Sequence, residues 1–421
     1  MDRLLAEIEA RRGEMVELCR ELVRIPTVNP PGAEYPQCVR QLGERLRMRG
    51  FEVRYLRAEG AEADCDAWPR INLLARRAGS RPGVCVHFNG HIDVVPAGSG
   101  WSVDPFAAEL RDGRIYGRGS ADMKGGIAAA LIALETITDL FPDFPGALEF
   151  SATVDEESGG FAGVGWLAEH GWFDPARVQH VIIPEPLDPD RVCIGHRGVW
   201  WAEIEIRGRT AHGSMPFLGD CAIRHTAAFI QALERELLPR LARRHTRMPV
   251  VPEPARRSTL NLNSVHGGQP ELARGLPSPC VADRCRLVID RRFLVEERPE
   301  EVRGEILALL DRLARERPGF GYELRELLRF DPVLADGEGV LPQCFRQAVG
   351  EIFGREAPLV CSPGTYDHKH IARTGGLESC IAYGPGRLVL AHQPDEHVVI
   401  DDMVKAAQVM ALATTRLLAV S

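Results

Sequence analysis

Residues 147–170 read ALEFSATVDEESGGFAGVGWLAEH, and this stretch sets the pattern that decides the fold. The apolar run at 147–154 predicts a buried strand, three acids follow it directly, and residues 161–170 carry a helical pattern. Further apolar runs predict strands at residues 70–78, 83–90 and 180–185. Residues 125–137 predict another helix. Strands that alternate with helices indicate an α/β fold with a mostly parallel sheet flanked by helices.

The pattern changes near residue 198, where the stretch VWWAEIEIRG alternates with period two like a half-buried strand. From there the order is strand, helix, strand, strand, helix, strand, which predicts an α+β unit of the ferredoxin-like type. The α/β pattern then returns. We therefore expect a discontinuous domain over residues 1–197 and 332–421, with a second domain inserted over residues 198–331.

Composition excludes several classes of function. The chain has 421 residues and a formal net charge of -8, which gives no basic face for a nucleic acid. Its longest apolar run falls far short of the ~20 residues that span a membrane. The N-terminal stretch carries acids and lacks the apolar core of a signal peptide. The 11 cysteines form no C-x-x-C pair, so we expect reduced thiols in a cytoplasmic protein.

Acids and histidines follow the predicted strands, at the edge where open α/β sheets bind ligands. The candidates are His91, Asp122, Glu157 (or Glu156), Glu185 and His392. Imidazole and carboxylate groups without a thiolate suit two divalent cations such as zinc, with one carboxylate bridging them. Such a pair of metals can activate water and polarise a carbonyl group. Asp93, two residues after His91, is placed to hydrogen-bond the far ring nitrogen of that histidine.

The stretch GRIYGRGSADMKGG has the glycines of a phosphate-binding loop but fails both nucleotide patterns. A Walker A motif needs Ser or Thr after the lysine, and here Gly125 follows Lys124. The dinucleotide pattern fails because Asp122 stands where a glycine is required. We interpret the stretch as a tight turn that aims the Asp122 carboxylate inward, at the start of a helix that favours an anion.

Six motifs in order resemble those of the co-catalytic zinc amidohydrolases and exopeptidases. This family includes acetylornithine deacetylase, succinyl-diaminopimelate desuccinylase, carboxypeptidase G and aminoacylase. The motifs are GHIDVVP (90–96), DGRIYGRGSADMKGG (112–126), TVDEESGG (153–160), PEP (184–186), GRTAHGSMP (208–216) and GPG with AHQPDE (384–396). The resemblance covers essentially the whole chain, including the inserted unit.

The resemblance implies a role for each candidate ligand. His91 and Glu185 would hold one metal, His392 and Glu157 would hold the other, and Asp122 would bridge the two. Zinc is the expected metal, with cobalt and manganese as alternatives.

The resemblance also implies the residues that carry the reaction. Asp93 would orient His91, and Glu156 would be the general base that takes a proton from the metal-bound water. His212 would reach into the site of the partner subunit and stabilise the oxyanion. The inserted domain would then be both a lid and the dimer interface. Asp155 is interpreted as a turn residue.

Three residues are expected to bind the α-carboxylate of the substrate. Arg292 matches the family arginine, whose fork suits a planar carboxylate. Gly364 and Thr365 match the loop that contacts the same carboxylate through its backbone and a hydroxyl group.

The chain departs from the family pattern in two places. The lid segment GLPSPCVAD lacks the asparagine that many members place there, and Asn261 or Asn263 is the only substitute nearby. After the carboxylate loop, His368, Lys369 and His370 are unusually dense. We interpret these three either as the solvated start of a helix or as a recognition patch for an acidic or polar acyl group.

The resemblance implies hydrolysis of the amide bond of an N-acyl-L-amino acid by a homodimer. A dipeptidase or carboxypeptidase with the same chemistry is the alternative. A more remote one is an inactive dimer that binds metal or amino acid. The substrate is expected to be a small molecule, with no nucleic-acid or membrane partner.

Overall fold

The structure is a computed structural model that describes residues 1–268 and 279–419. The chain divides into two compact units. The first comprises Met1–Gly195, Ala335–Val360 and Tyr366–Ser421, and the second comprises His196–Leu334 and Cys361–Thr365.

Strands and α-helices alternate through most of the chain. In chain order the strands are β1 (Glu52–Arg57), β2 (Ile71–Ala78), β3 (Arg81–His91), β4 (Glu109–Arg111), β5 (Arg114–Tyr116), β6 (Pro145–Thr153), β7 (His180–Ile183), β8 (Val192–His196), β9 (Gly198–Arg207), β10 (Thr259–Gly267), β11 (Arg284–Phe293), β12 (Gly321–Phe330), β13 (Val333–Leu334), β14 (Leu359–Ser362), β15 (Cys380–Ala382) and β16 (His397–Val399). The α-helices are α1 (Asp2–Ala10), α2 (Arg12–Val23), α3 (Tyr35–Met48), α4 (Gly125–Leu140), α5 (Trp166–Glu169), α6 (Ala222–Ala232), α7 (Leu238–Leu241), α8 (Pro299–Glu316), α9 (Val340–Phe353), α10 (His368–Arg373) and α11 (Ile400–Leu417).

The first unit is built on a large mixed sheet with the strand order β1-β2-β6-β3-β7-β15-β8. The central pairs β6–β3, β3–β7 and β7–β15 are parallel. The pairs β1–β2, β2–β6 and β15–β8 are antiparallel. The expected mostly parallel sheet is therefore observed only in part: its centre is parallel, and these three pairs are not. Only two residues separate β2 from β3, and so short a connection reverses the chain direction.

The parallel centre brings the predicted ligands to one edge of this sheet. β3 ends at His91, and β6 ends at Thr153, which lies opposite His91 in the register. β7 ends at Ile183, two residues before Glu185. Because parallel strands end at the same edge, the segments that follow them meet there.

Helix α4 begins two residues after Met123 and is buried along almost its whole length. Its buried residues are mostly apolar, as expected for a helix covered by other elements. Gly126 is required by a close approach, since a Cβ there would lie 1.9 Å from the carbonyl oxygen of Pro184. This contact fixes the start of α4 against the segment that carries Glu185.

The second unit contains a four-stranded antiparallel sheet with the order β10-β11-β9-β12. Along the chain its elements run β9, α6 with α7, β10, β11, α8 and β12. Alternate side chains of β9 point into a core shared with α6 and α8. These inward residues are Trp200, Ala202, Ile204 and Ile206.

The 11 cysteines are present as thiols rather than as disulfides. Across residues 1–268 and 279–419, none of the helices has the length and apolar character needed to cross a membrane.

Candidate metal centre

The predicted ligands come together in the first unit as two groups that share Asp122. In each group, one ligand atom from every residue lies within 4.8 Å of the others. His91 Nε2 lies 3.2 Å from Asp122 Oδ1 and 3.7 Å from Glu185 Oε1. His392 Nε2 lies 3.6 Å from Asp122 Oδ2 and 3.0 Å from Glu157 Oε2. Asp122 therefore offers one oxygen to each group, as a bridging carboxylate would.

The electrostatics of these groups fit two divalent cations. Burial and the charge of Asp122 raise the pKa of Glu157 to about 7 and that of Glu185 well above its usual value. Contact with Glu157 raises the pKa of His392 to about 9. Burial would lower the pKa of His91, but its hydrogen bond with Asp122 raises it well above normal. Carboxylates crowded in this way hold protons unless metal cations replace the protons. The histidine nitrogens and carboxylate oxygens of the two groups are ligands that suit zinc-like ions.

The loop that carries Asp122 is held by Glu396, a residue to which the sequence assigned no role. The chain turns at Gly119, where φ is +86°. Glu396 Oε1 accepts hydrogen bonds from the backbone N–H groups of Gly119, Ala121 and Asp122 at 3.0, 3.0 and 3.1 Å. Arg118 pairs with its other oxygen. The signal in the sequence is a glycine-rich turn whose inward N–H groups need an acceptor.

Asp93 connects His91 to the segment at residues 155–160, which we call the acidic loop. Its Oδ1 accepts the backbone N–H of Glu156 and its Oδ2 that of Glu157, both at 3.1 Å. Asn29 donates to Oδ2 as well. His91 Nδ1 lies 3.1 Å from the Asp93 carbonyl oxygen and 3.6 Å from Oδ1. Asp93 therefore contacts His91 mainly through its backbone, while its carboxylate holds the acidic loop.

Asp155 is a turn residue with a further role that the sequence did not reveal. It has the left-handed backbone expected in a turn, with φ at 61°. Its carboxylate is nevertheless buried, and it accepts hydrogen bonds from Arg70 Nε at 2.8 Å and from the Tyr35 hydroxyl at 2.9 Å. Asp155 therefore ties the acidic loop to the rest of the first unit.

Helix α10 starts where the dense His-Lys-His cluster predicts a helix, but its first turn is not solvated. The side chains of His368, Lys369 and His370 are all buried. Lys369 Nζ lies 2.8 Å from Glu156 Oε1, and His370 Nε2 lies 2.8 Å from the carbonyl oxygen of Gly159. The solvated interpretation is wrong because all three side chains are buried: the acidic loop contacts Lys369 and His370, and the Tyr366 hydroxyl lies 3.4 Å from His368 Nδ1.

The second unit carries the other predicted catalytic residues. His212 is exposed, and its Nδ1 lies 2.7 Å from Ser214 Oγ. Arg292 lies on β11, where Nε and one terminal nitrogen donate to the two oxygens of Asp290 at 2.7 and 3.0 Å. Residues 275–278 of the segment without the family asparagine lie outside the described residues.

The remaining candidates also belong to the second unit. Gly364 and Thr365 are partly buried in the loop after β14, and the Gly364 N–H donates to Ser362 Oγ at 3.2 Å. Asn261 and Asn263 lie on the exposed face of β10, where Asn261 Nδ2 donates to Asn263 Oδ1 at 2.8 Å.

Comparison with known proteins agrees with the motifs. The model of Peptidase family M20/M25/M40 matches residues 87–416. A curated succinyl-diaminopimelate desuccinylase from Thioalkalivibrio sulfidiphilus (strain HL-EbGR7) is 30% identical over 415 residues, which cover 96% of this chain and 99% of that one.

Solved structures show the same fold. Human carnosine dipeptidase 1 superposes with a TM-score of 0.78 at 18% identity, over 99% of this chain and 98% of that one. An M20 family metallo-carboxypeptidase from Sulfolobus solfataricus also gives a TM-score of 0.78, at 19% identity, over 96% of this chain and 99% of that one. The family resemblance drawn from the six motifs is thereby confirmed. The chain belongs to Peptidase family M20/M25/M40, a family of hydrolases.

Proposed function

We propose that the chain is a metal-dependent deacylase that hydrolyses the amide bond of an N-acyl-L-amino acid. The observation that carries this proposal is the pair of ligand groups that share Asp122, with Glu156 directly before Glu157 in the chain. The substrate class is supported by the desuccinylase that covers nearly the whole chain. A cytoplasmic location is part of the proposal and is consistent with the free cysteines.

The proposed cofactor is a pair of divalent cations, with zinc expected and cobalt or manganese as alternatives. His91 and Glu185 would hold one cation, His392 and Glu157 the other, and Asp122 both. Cations bound there would acidify water and polarise the acyl carbonyl.

Glu156 is the proposed general base. Its carboxylate would take a proton from the attacking water as the water oxygen bonds to the acyl carbon. It would then return that proton to the amine nitrogen as the C–N bond breaks, so that an acid and a free amine leave. Proton transfer of this kind contributes roughly 10²–10⁴-fold to the rate. The backbone N–H of Glu156 is fixed by Asp93, which supports a defined position for its side chain.

The second unit is proposed to be a ferredoxin-like lid through which two chains form a homodimer. β10 lies at the edge of its sheet, and an edge strand can pair with another chain. Ile223 on α6 and Val265 on β10 are apolar and each 46% exposed. His212 from the partner subunit would donate a hydrogen bond to the oxyanion. Because Nδ1 faces Ser214, Nε2 is the nitrogen that could do so.

Arg292, Gly364 and Thr365 are proposed to bind the α-carboxylate of the substrate. The guanidinium of Arg292 already holds the carboxylate of Asp290 through two nitrogens, which is the geometry that a substrate carboxylate needs. The backbone N–H and hydroxyl of the loop would complete the contact.

A steady-state substrate screen tests the proposal. N-succinyl and N-acetyl amino acids, including N-succinyl-diaminopimelate, are compared with unblocked dipeptides and with C-terminal peptide substrates, with added zinc or cobalt. We expect hydrolysis of the N-acyl compounds that disappears after chelation and returns with metal. If dipeptides or peptides are cleaved in preference to N-acyl amino acids, the proposed activity is that of a peptidase rather than a deacylase. No turnover by metal-loaded protein would favour the inactive dimer.

A further inference from the structure

Helix α10 places a buried cation beside the proposed catalytic acid. The side chain of Lys369 is only 2% exposed, and its Nζ lies 2.8 Å from Glu156 Oε1. A buried ammonium group costs free energy unless it is paired and hydrogen-bonded. The Glu156 side chain is 12% exposed, so the pair is largely shielded from water.

The contact with Lys369 makes the two oxygens of Glu156 unequal. Lys369 touches Oε1, which leaves Oε2 as the oxygen that can exchange a proton. A glutamate side chain has three rotatable bonds, and an ordered partner restricts them. The ammonium therefore limits the directions in which the carboxylate can point.

A second carboxylate, that of Asp367, attracts the Lys369 ammonium group through its charge. Asp367 is buried, and its Oδ2 accepts a hydrogen bond from Asn89 Nδ2 at 2.8 Å. The Thr153 hydroxyl lies 3.4 Å from the same oxygen. Although burial lowers the pKa of Lys369, attraction from Glu156 and Asp367 raises it, so the group is an ammonium ion. Asn89 and Thr153 lie on β3 and β6, so Asp367 is anchored to the strands that lead to His91 and the acidic loop.

His370 makes a different contact with the same loop and provides an internal comparison. Its Nε2 lies 2.8 Å from the carbonyl oxygen of Gly159, so it supports the backbone of the acidic loop rather than the Glu156 carboxylate. Loss of His370 loosens the loop as a whole. Loss of Lys369 frees one side chain.

We propose that Lys369 is a positioning residue for this reaction, which holds Glu156 by Oε1 so that Oε2 faces the attacking water. The proposal rests on the general-base role of Glu156 given above. A proton acceptor that is free to turn away spends part of its time out of reach of the water, and misplacement of this kind costs up to about 100-fold in rate. Loss of Lys369 should lower kcat rather than raise KM, because Lys369 acts on the proton acceptor.

The test measures kcat, KM, metal content and melting temperature for Lys369→Met, Lys369→Arg, His370→Leu and Glu156→Gln. We expect Lys369→Met to lower kcat by roughly 10–100-fold with KM and metal content little changed. Lys369→Arg should recover most of that loss. His370→Leu should lower the melting temperature at least as much as Lys369→Met but reduce kcat less.

The double variant Lys369→Met with Glu156→Gln separates positioning from general stability. If Lys369 acts through Glu156, the double variant turns over no more slowly than Glu156→Gln alone, and the two changes are non-additive in melting temperature. If Lys369→Met does not fold, Lys369→Gln, which keeps a donor without the charge, takes its place with the same expected ranking.

Two results would overturn the inference. One is a kcat for Lys369→Met within about 2-fold of wild type while Glu156→Gln is inactive. The other is that adding Lys369→Met to Glu156→Gln lowers kcat by as large a factor as Lys369→Met does in the wild-type protein. Near-normal rates for Glu156→Gln would instead reject the general-base role of Glu156, which is part of the proposed function and not of the inference about Lys369.

Discussion

The three consecutive acids of the acidic loop are not interchangeable. Each has its own partner from a distant part of the chain. The pairs are Asp155 with Arg70, Glu156 with Lys369 and Glu157 with His392. The three acids would repel one another in isolation, and the cation or histidine that faces each of them offsets this repulsion.

Glu156→Gln is expected to abolish most turnover while both metals stay bound. The amide keeps the shape of the side chain but cannot take a proton, so kcat should fall by roughly 10²–10⁴-fold. The change leaves all five proposed metal ligands intact, so metal content by mass spectrometry should equal that of wild type. Glu169→Gln, at an exposed glutamate on α5, serves as the control and should keep full activity. Near-normal turnover in Glu156→Gln would reject the assignment.

The candidate ligands could be selected from the sequence because each follows a strand-like run or lies in a motif, and the structure brings them together. Lys369 lies in none of the six motifs, and Glu396 ends the motif AHQPDE, which by itself does not reveal what its carboxylate contacts. Lys369 meets Glu156 across 213 positions of sequence, and Glu396 meets the Asp122 loop only after that loop has turned. Their roles depend on tertiary contacts that leave no local pattern.

At the scale of elements, the central strands β3 and β6 carry a buried row of polar residues on one face. The register aligns His87 with Glu149, Asn89 with Ser151 and His91 with Thr153. His87 lies 2.9 Å from Glu149 and 2.7 Å from the Ser151 hydroxyl, which donates to Asn89. This row ends at the candidate metal ligand His91, so the sheet itself supports the site through hydrogen bonds.

Glu149 makes the stability of the first unit sensitive to acid. Burial opposes its ionisation, but contacts with His87, Arg177 and Arg76 lower its pKa to about 2 from 4.5. Because the folded pKa is the lower one, its stabilisation is present above pH 4.5 and is lost as the pH falls towards 2. Glu149→Gln should cost about 3 kcal/mol at neutral pH, and the difference from wild type should shrink towards pH 2.

Denaturant unfolding between pH 7 and 3 measures this difference. Glu52→Gln removes an exposed ion pair with Arg54 and should cost less than about 1 kcal/mol at any pH. A penalty for Glu149→Gln that stays constant across the pH range would show that the carboxylate charge is not the cause.

The positions of strands and helices could be predicted better than the pairing of the strands in the sheet. Four predicted strands correspond to β2, β3, β6 and β7, and the predicted helix at 125–137 corresponds to α4. The predicted helix at 161–170 is shorter, since α5 covers only Trp166–Glu169. Apolar runs fix where a strand forms, whereas its neighbour in the sheet depends on contacts between distant segments. The antiparallel outer pairs were therefore missed.

At the scale of the whole molecule, we expect a homodimer formed through the second unit. Light scattering should give a mass of twice 46.5 kDa. Ile223→Lys and Val265→Lys place a charge on exposed apolar positions of α6 and β10 and should shift the protein to monomer. Met48→Lys, at a position 82% exposed on α3 of the first unit, should leave the mass unchanged. A monomeric wild type would reject the dimer.

Mixing two inactive variants tests whether the subunits share a site. His212→Ala and Glu156→Gln should each be inactive, but a heterodimer would contain one site with both residues intact. Part of the activity should return once subunits exchange. If freely exchanging heterodimers stay inactive, His212 does not act across the interface.

The central claim is that two metal sites share one carboxylate, and metal content per chain tests it most directly. Wild-type protein should bind two zinc ions. Glu185→Ala and His392→Ala should each keep one, because each removes a ligand from a single group. Asp122→Ala should retain fewer than one, since it removes a ligand from both groups. Two firmly bound ions in Asp122→Ala, or a single ion in wild type, would contradict the shared site.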